Sequence, residues 1–152
     1  MKSTYLKKAF IALSILVAVG HAGITFAHDA GALIDSAGNN ASATDLAAVT
    51  CTDDGAGVPH HLFGQVKDSS SPVPGLLVNF HIYKGQQMTT STDPVSGDDN
   101  YSPGVSLNGG PGTYYISVTK TSAGARIFNV IWHCVTSDNK HTGTDITVLQ
   151  IQ

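Results

Sequence analysis

From residue 46 onward the chain alternates. Apolar side chains recur at every second position over short runs, and clusters of Gly, Pro, Asp, Asn and Ser separate the runs. The clearest run is 76–84, with Leu76, Val78, Phe80 and Ile82 on one side and Leu77, Asn79, His81 and Tyr83 on the other. A period of two is the signature of a half-buried strand. The same reading holds for 113–119, where Tyr114, Ile116 and Val118 oppose Tyr115 and Ser117, and for 126–135, where Phe128, Val130, Trp132 and Cys134 oppose Asn129 and His133. Further strands are expected over 46–52, 61–67, 88–92, 102–107 and 145–151. The 88–92 run is short and polar, as suits a sheet edge. Pro72 and Pro74 forbid a central strand between the second and third runs. Seven to nine short strands with no helical period predict an all-β fold, a single antiparallel Greek-key sandwich.

The first 45 residues do not alternate. Lys2, Lys7 and Lys8 precede an apolar run of twelve residues, Ala9 to Gly20, too short to span a bilayer comfortably. Thr25-Phe26-Ala27 then offers small residues where a signal peptidase reads. Residues 1–27 are therefore expected to be a cleaved leader, with a second cleavage site after Ala22. Residues 28–45, rich in Ala, Ser, Asn, Asp and Gly, read as an irregular lead-in, and 46–152 as the sandwich domain.

Composition narrows the setting. Residues 28–152 hold five basic residues against eleven acids, all Asp, a formal charge of −6. A negative chain without a basic cluster argues against nucleic acid and anionic lipid as partners. No later run is apolar enough for stable membrane insertion. Two cysteines in an exported chain, Cys51 and Cys134, read as one disulfide. Together these features place the protein in a periplasm or outside the cell.

Within 61–120 the order of elements is specific. Gly64-x-Val66-x-Asp68 is followed by Pro72-Val73-Pro74-Gly75, Val78, Thr92-Asp93, Gly97, Tyr101-Ser102, Leu107, Gly112-Thr113-Tyr114 and Val118. This series resembles the carboxypeptidase regulatory-like domain and, in the same prealbumin-like sandwich group, the collagen-adhesin B-type domain. The resemblance implies a prealbumin- or immunoglobulin-like sandwich and an accessory, adhesive or structural role. It implies no substrate. The chain departs from the pattern in its longer turn over 93–100 and in the added outer strands that carry Cys51 and Cys134.

Candidate chemistry rests on histidine. Six of the seven histidines lie beyond the leader, and imidazole suits copper and zinc. Cleavage after Ala27 would make His28 the terminal residue, whose amine and imidazole together chelate copper. His81 and His133 share a parity opposite the apolar stripes and would meet if their strands were neighbours; solvated surface histidines are the plainer alternative. His60 and His61 are adjacent, and strand alternation sends adjacent side chains to opposite faces. His141 reads as a turn residue. Phe63, Tyr83 and Tyr115 also face away from the expected core and would form an aromatic strip for sugar or protein. No Gly-x-Ser-x-Gly elbow or other catalytic constellation is present, so no enzyme activity is expected. The sequence thus predicts a secreted, non-catalytic binding or assembly module, with a protein partner or self-association. A periplasmic copper-binding protein using His28 is the alternative.

Overall fold

The alternating runs form nine strands among residues 28–152, the part of the chain that the computed structural model describes. The expected leader lies outside those residues. In chain order the strands are β1 (His28–Ile34), β2 (Asp45–Thr52), β3 (Pro59–Asp68), β4 (Val78–Lys84), β5 (Gln87–Thr92), β6 (Val105–Asn108), β7 (Gly112–Lys120), β8 (Arg126–Thr136) and β9 (Gly143–Gln150). They make a four-stranded sheet, β1-β8-β3-β6, and a five-stranded sheet, β5-β4-β7-β2-β9. Every pairing is antiparallel. Only β4–β5 is a hairpin within one sheet; every other connection carries the chain across to the opposite sheet. This is the all-β sandwich the alternation predicts.

The core is where the two apolar faces meet. Leu62, Val66, Val130 and Trp132 face Val49, Phe80, Ile82, Tyr114 and Ile116, all buried. Gly64 has a packing reason: a Cβ there would collide with the Phe80 ring of the facing sheet. Cys51 on β2 and Cys134 on β8 are bonded to each other, fully buried, and tie the two sheets together across the core.

One expectation needs correction. Residues 28–45 are not an irregular lead-in throughout, because residues 28–34 form β1, paired along β8 from His28 opposite Trp132 to Ile34 opposite Arg126. Their Ala- and Gly-rich composition carries little β propensity; the free edge of β8 supplies the partner that makes them a strand. The turn after β1 is also built. Asp35 sits at φ 54°, and its carboxylate accepts the Asn39 and Asn40 amides and the Lys120 ammonium at 2.7 Å. Both side chains of the pair are buried, and Lys120 also donates to the Asn40 and Ser122 carbonyls. The Lys120 ammonium holds the Asp35 carboxyl well below the usual carboxylate range.

The two long sides of the sandwich differ. Beside β5 and β6 the sheets are laced: Ser91 Oγ donates to the Pro103 carbonyl, and Ser102 Oγ accepts the Val66 amide at 3.1 Å. Beside β1 and β9 they are joined at the two ends and open between. At one end the Asp35 amide donates to the Gln152 carbonyl at 2.7 Å and the Gln152 amide donates to Asp45 Oδ1 at 2.8 Å; at the other the Cys134 amide donates to Thr144 Oγ1 at 3.0 Å. Among the described residues no helix is long and apolar enough to cross a membrane.

Candidate functional site

The open side contains an apolar cleft. A cavity of about 160 Å³ lies between β1 of one sheet and β9 of the other, with Trp132, Val130 and Phe128 among its lining residues. Its origin is legible strand by strand. Register places Ala30 and Ala32 of β1 beside Val130 and Phe128 on the inward face, and β2 contributes Ala47. Alanine side chains are too short to fill the space that Trp132 and Phe128 leave. Two polar atoms of lining residues, Asp45 Oδ2 and Trp132 Nε1, are buried with no hydrogen-bond partner. Burial pushes the Asp45 carboxyl upward, against the lowering effect of the Gln152 amide.

The rim of the cleft is apolar too. Val148 and Ile151, on and after β9, line it and are exposed; Leu149, and Leu33 and Ile127 on the outer face of the four-stranded sheet, add exposed apolar side chains nearby. Both β1 and β9 are outermost strands with one backbone edge unpaired. Each carries a single charged residue, Asp29 or Asp145, and neither contains Lys or Pro.

At the Trp132 end of this side the histidines collect. His28 lies opposite Trp132, His133 opposite Phe63 on β3, and His61 opposite Val135, whose other neighbour is His141. Beyond His28, the edge of β8 is taken over by the chain around His141, with the Thr142 amide donating to the Cys134 carbonyl at 3.0 Å. Five of the six described histidines (28, 60, 61, 133 and 141) therefore gather at one end of the four-stranded sheet.

His133 is the buried member. Its ring stacks on His141 at 4.2 Å between centroids and on Phe63 at 6.2 Å, with His28 edge-on at 6.3 Å. Its Nδ1 has no partner. Burial first, then the neighbouring His141 and His28, push its pKa down to about 4. Stacked rings do not aim their nitrogens at one point. Among the described residues no three His, Cys, Asp or Glu side chains are arranged to hold a metal ion.

The expected histidine grouping is thus changed. His28 and His133 do come together, but His81 lies on β4 of the other sheet, because β4 and β8 are not neighbours. Both its ring nitrogens are engaged at 3.0 Å by the Thr90 and Thr119 hydroxyls. The expected aromatic strip also divides. Tyr83 and Tyr115 are cross-strand partners stacked at 5.6 Å on the outer face of the five-stranded sheet. Phe63 stands on the other sheet, against His133.

Two features escaped the sequence reading. His141 joins the group through an isolated bridge to Val135 that no local pattern announces. His60 and His61 meet, with their Nδ1 atoms 3.2 Å apart, because the pairing of β3 with β8 slips between Pro59 and His61. Pro59 was the available signal, since proline in a strand marks its first residue or a bulge. No family model, curated protein or solved structure matches this chain.

Proposed function

We propose that this chain is an exported, non-catalytic β-sandwich module that assembles with further copies of itself along the β1–β9 side. The observation that carries the reading is the apolar cleft between two unpaired strand edges. Free edges ordinarily bear lysine, proline or inward charge that keeps other strands away. Here both edges lack Lys and Pro, and β9 adds exposed Val148 and Leu149. Contiguous exposed apolar surface marks an interaction site.

The cleft's size argues for a chain as occupant. About 160 Å³ is close to the roughly 150 Å³ of a cavity that takes one benzene, which is room for one large side chain. A strand laid on the free edge of β9 would satisfy backbone groups by hydrogen bonding while its alternate side chains entered the cleft. A second copy is the occupant at hand, because its own β9 offers apolar side chains at alternate positions. Export is supported by the leader-like first 27 residues and by the Cys51–Cys134 bond, which suits an oxidising compartment. The likeness of 61–120 to adhesive and accessory sandwich modules points the same way.

Light scattering after size exclusion, with electron microscopy of the same fractions, tests the proposal. The parent chain is expected to form dimers or longer assemblies as concentration rises. Val148→Lys, which places a charge on the exposed edge, is expected to return it to monomer with the fold intact. A parent that stays monomeric at high concentration overturns the proposal, as does Val148→Lys associating like the parent.

A further inference from the structure

Adjacent residues on a regular strand point to opposite faces, and His60 and His61 do not. The register slip after Pro59 turns them toward each other, with Nδ1 atoms 3.2 Å apart and ring planes at 87°. Two imidazole nitrogens bound to one tetrahedral ion at 2.0–2.1 Å stand about 3.3 Å apart. The two Nδ1 atoms already hold that spacing. We propose that His60 and His61 chelate a late first-row transition-metal ion, copper(II) or zinc(II), through their Nδ1 atoms.

The surroundings favour it. His60 is exposed and His61 half-buried, so an ion reaches the pair from solvent. The backbone under them is fixed: the Gly110 amide donates to the His60 carbonyl at 3.0 Å, and His61 pairs with Asn108 on one side and Val135 on the other. A held backbone lets two side chains act as a chelate at little entropic cost. In the metal-free pair, one ring can donate its Nδ1 proton to the other. On binding, that ring carries its proton at Nε2 instead, so both Nδ1 lone pairs face the ion and the net protonation is unchanged. Imidazole ligands suit copper and zinc above other common divalent ions.

The pair stands apart from the group around His133. His141 lies beyond Val135, two strands from His61, or about 10 Å at the usual strand spacing. Among the described residues no third His, Cys, Asp or Glu is placed to join the pair on one ion, so water fills the remaining coordination positions at His60–His61. The proposal also stands apart from assembly, since it uses the β3 end of the sheet and none of the cleft.

Titration of the untagged chain with copper(II) alone, and separately with zinc(II) alone, by calorimetry tests it. Copper electron paramagnetic resonance reports the bound nitrogens. One ion per chain with two nitrogen couplings is expected. His60→Ala and His61→Ala should each weaken binding at least tenfold, about 1.4 kcal/mol. His81→Ala and His141→Ala should leave it unchanged. Absence of saturable binding overturns the assignment. Binding that survives both His60→Ala and His61→Ala overturns it too, whether it then follows His28, His141 or nothing. Circular dichroism of each variant separates a lost ligand from a lost fold; His60 is exposed, so its variant is expected to keep the fold.

Discussion

Replacing Ala32 by valine should make the protein more stable and less associative at once. Ala32 is half-buried on β1, faces inward beside Phe128, and lines the cleft. Cavity surveys relate destabilisation to empty volume at about 24 cal/mol per Å³. For about 160 Å³ that is about 4 kcal/mol, an upper bound because the cleft is open to solvent on its outer side. Valine adds two carbons, about 0.8 kcal/mol each when fully buried, or about 1.6 kcal/mol together. Half-burial reduces this to about 1 kcal/mol, and a β-branched side chain suits a strand better than alanine. A gain of that size raises the melting temperature of a domain this long by about 4 °C. Urea unfolding should show a higher midpoint with the same slope, while light scattering should show less association at equal concentration. A destabilised Ala32→Val refutes the packing argument, since it would mean the space is already filled. A stabilised variant that associates as the parent does refutes the cleft as the joint between copies.

Two further outcomes follow from buried groups. The folded-state pKa of His133, about 4, lies below its unfolded value of about 6.5, so the folded state disfavours the proton. Stability is therefore full above pH 6.5 and falls as pH drops from there through 4, by up to about 3 kcal/mol. His133→Phe, which keeps the ring stack, should flatten that part of a pH–stability curve; an unchanged slope between pH 6.5 and 4 would assign the loss to other groups. Removing the clasp with paired Cys51→Ala and Cys134→Ala frees a loop of 83 residues in the unfolded chain, worth about 4.5 kcal/mol in the chain-entropy picture. Denaturant unfolding measures it, and a loss below about 1 kcal/mol would show that the two sheets are held by packing alone.

What was legible in the sequence was whatever local periodicity encodes. The runs over β4, β7 and β8 carry their burial in their alternation, and Cys134 beside Trp132 on an apolar face foretold a buried bridge. What was not legible depends on partners distant in sequence. β1 has no strand-forming composition, and it exists because β8 leaves an edge open more than ninety residues later. His81 and His133 share a parity, but parity does not say which sheet a strand joins. His60 and His61 obey alternation on paper and escape it through a bulge, which a single proline marks only in outline. The aromatic strip failed for the same reason as the histidine pair: Phe63 and Tyr83 both face outward, from opposite sides of the sandwich.

The placement of β1 connects the open side to the histidine end. β1 pairs on one edge only, fills its inward positions with alanine, and is anchored at its C-terminal end by buried Ile34 and by the Asp35–Lys120 ion pair. Its other end is held by far less, because residues 28–31 are exposed. A strand so lightly held at one end opens there first. That end is where the chain around His141 takes over the edge of β8, and where His28 and His141 flank His133. Opening of β1 would take away one of the two imidazoles that disfavour a proton on His133 and would let water reach its unpartnered Nδ1. Both changes raise the affinity of His133 for a proton. By linkage, protonation of His133 then favours the opened edge, and the edge it exposes is the row of β8 backbone groups along the cleft. If copies join along the β1 side as proposed, lowering the pH from 6.5 to 4 is expected to increase association of the parent and not of His133→Phe, which light scattering at equal concentration measures; equal association of both across that range would refute the coupling.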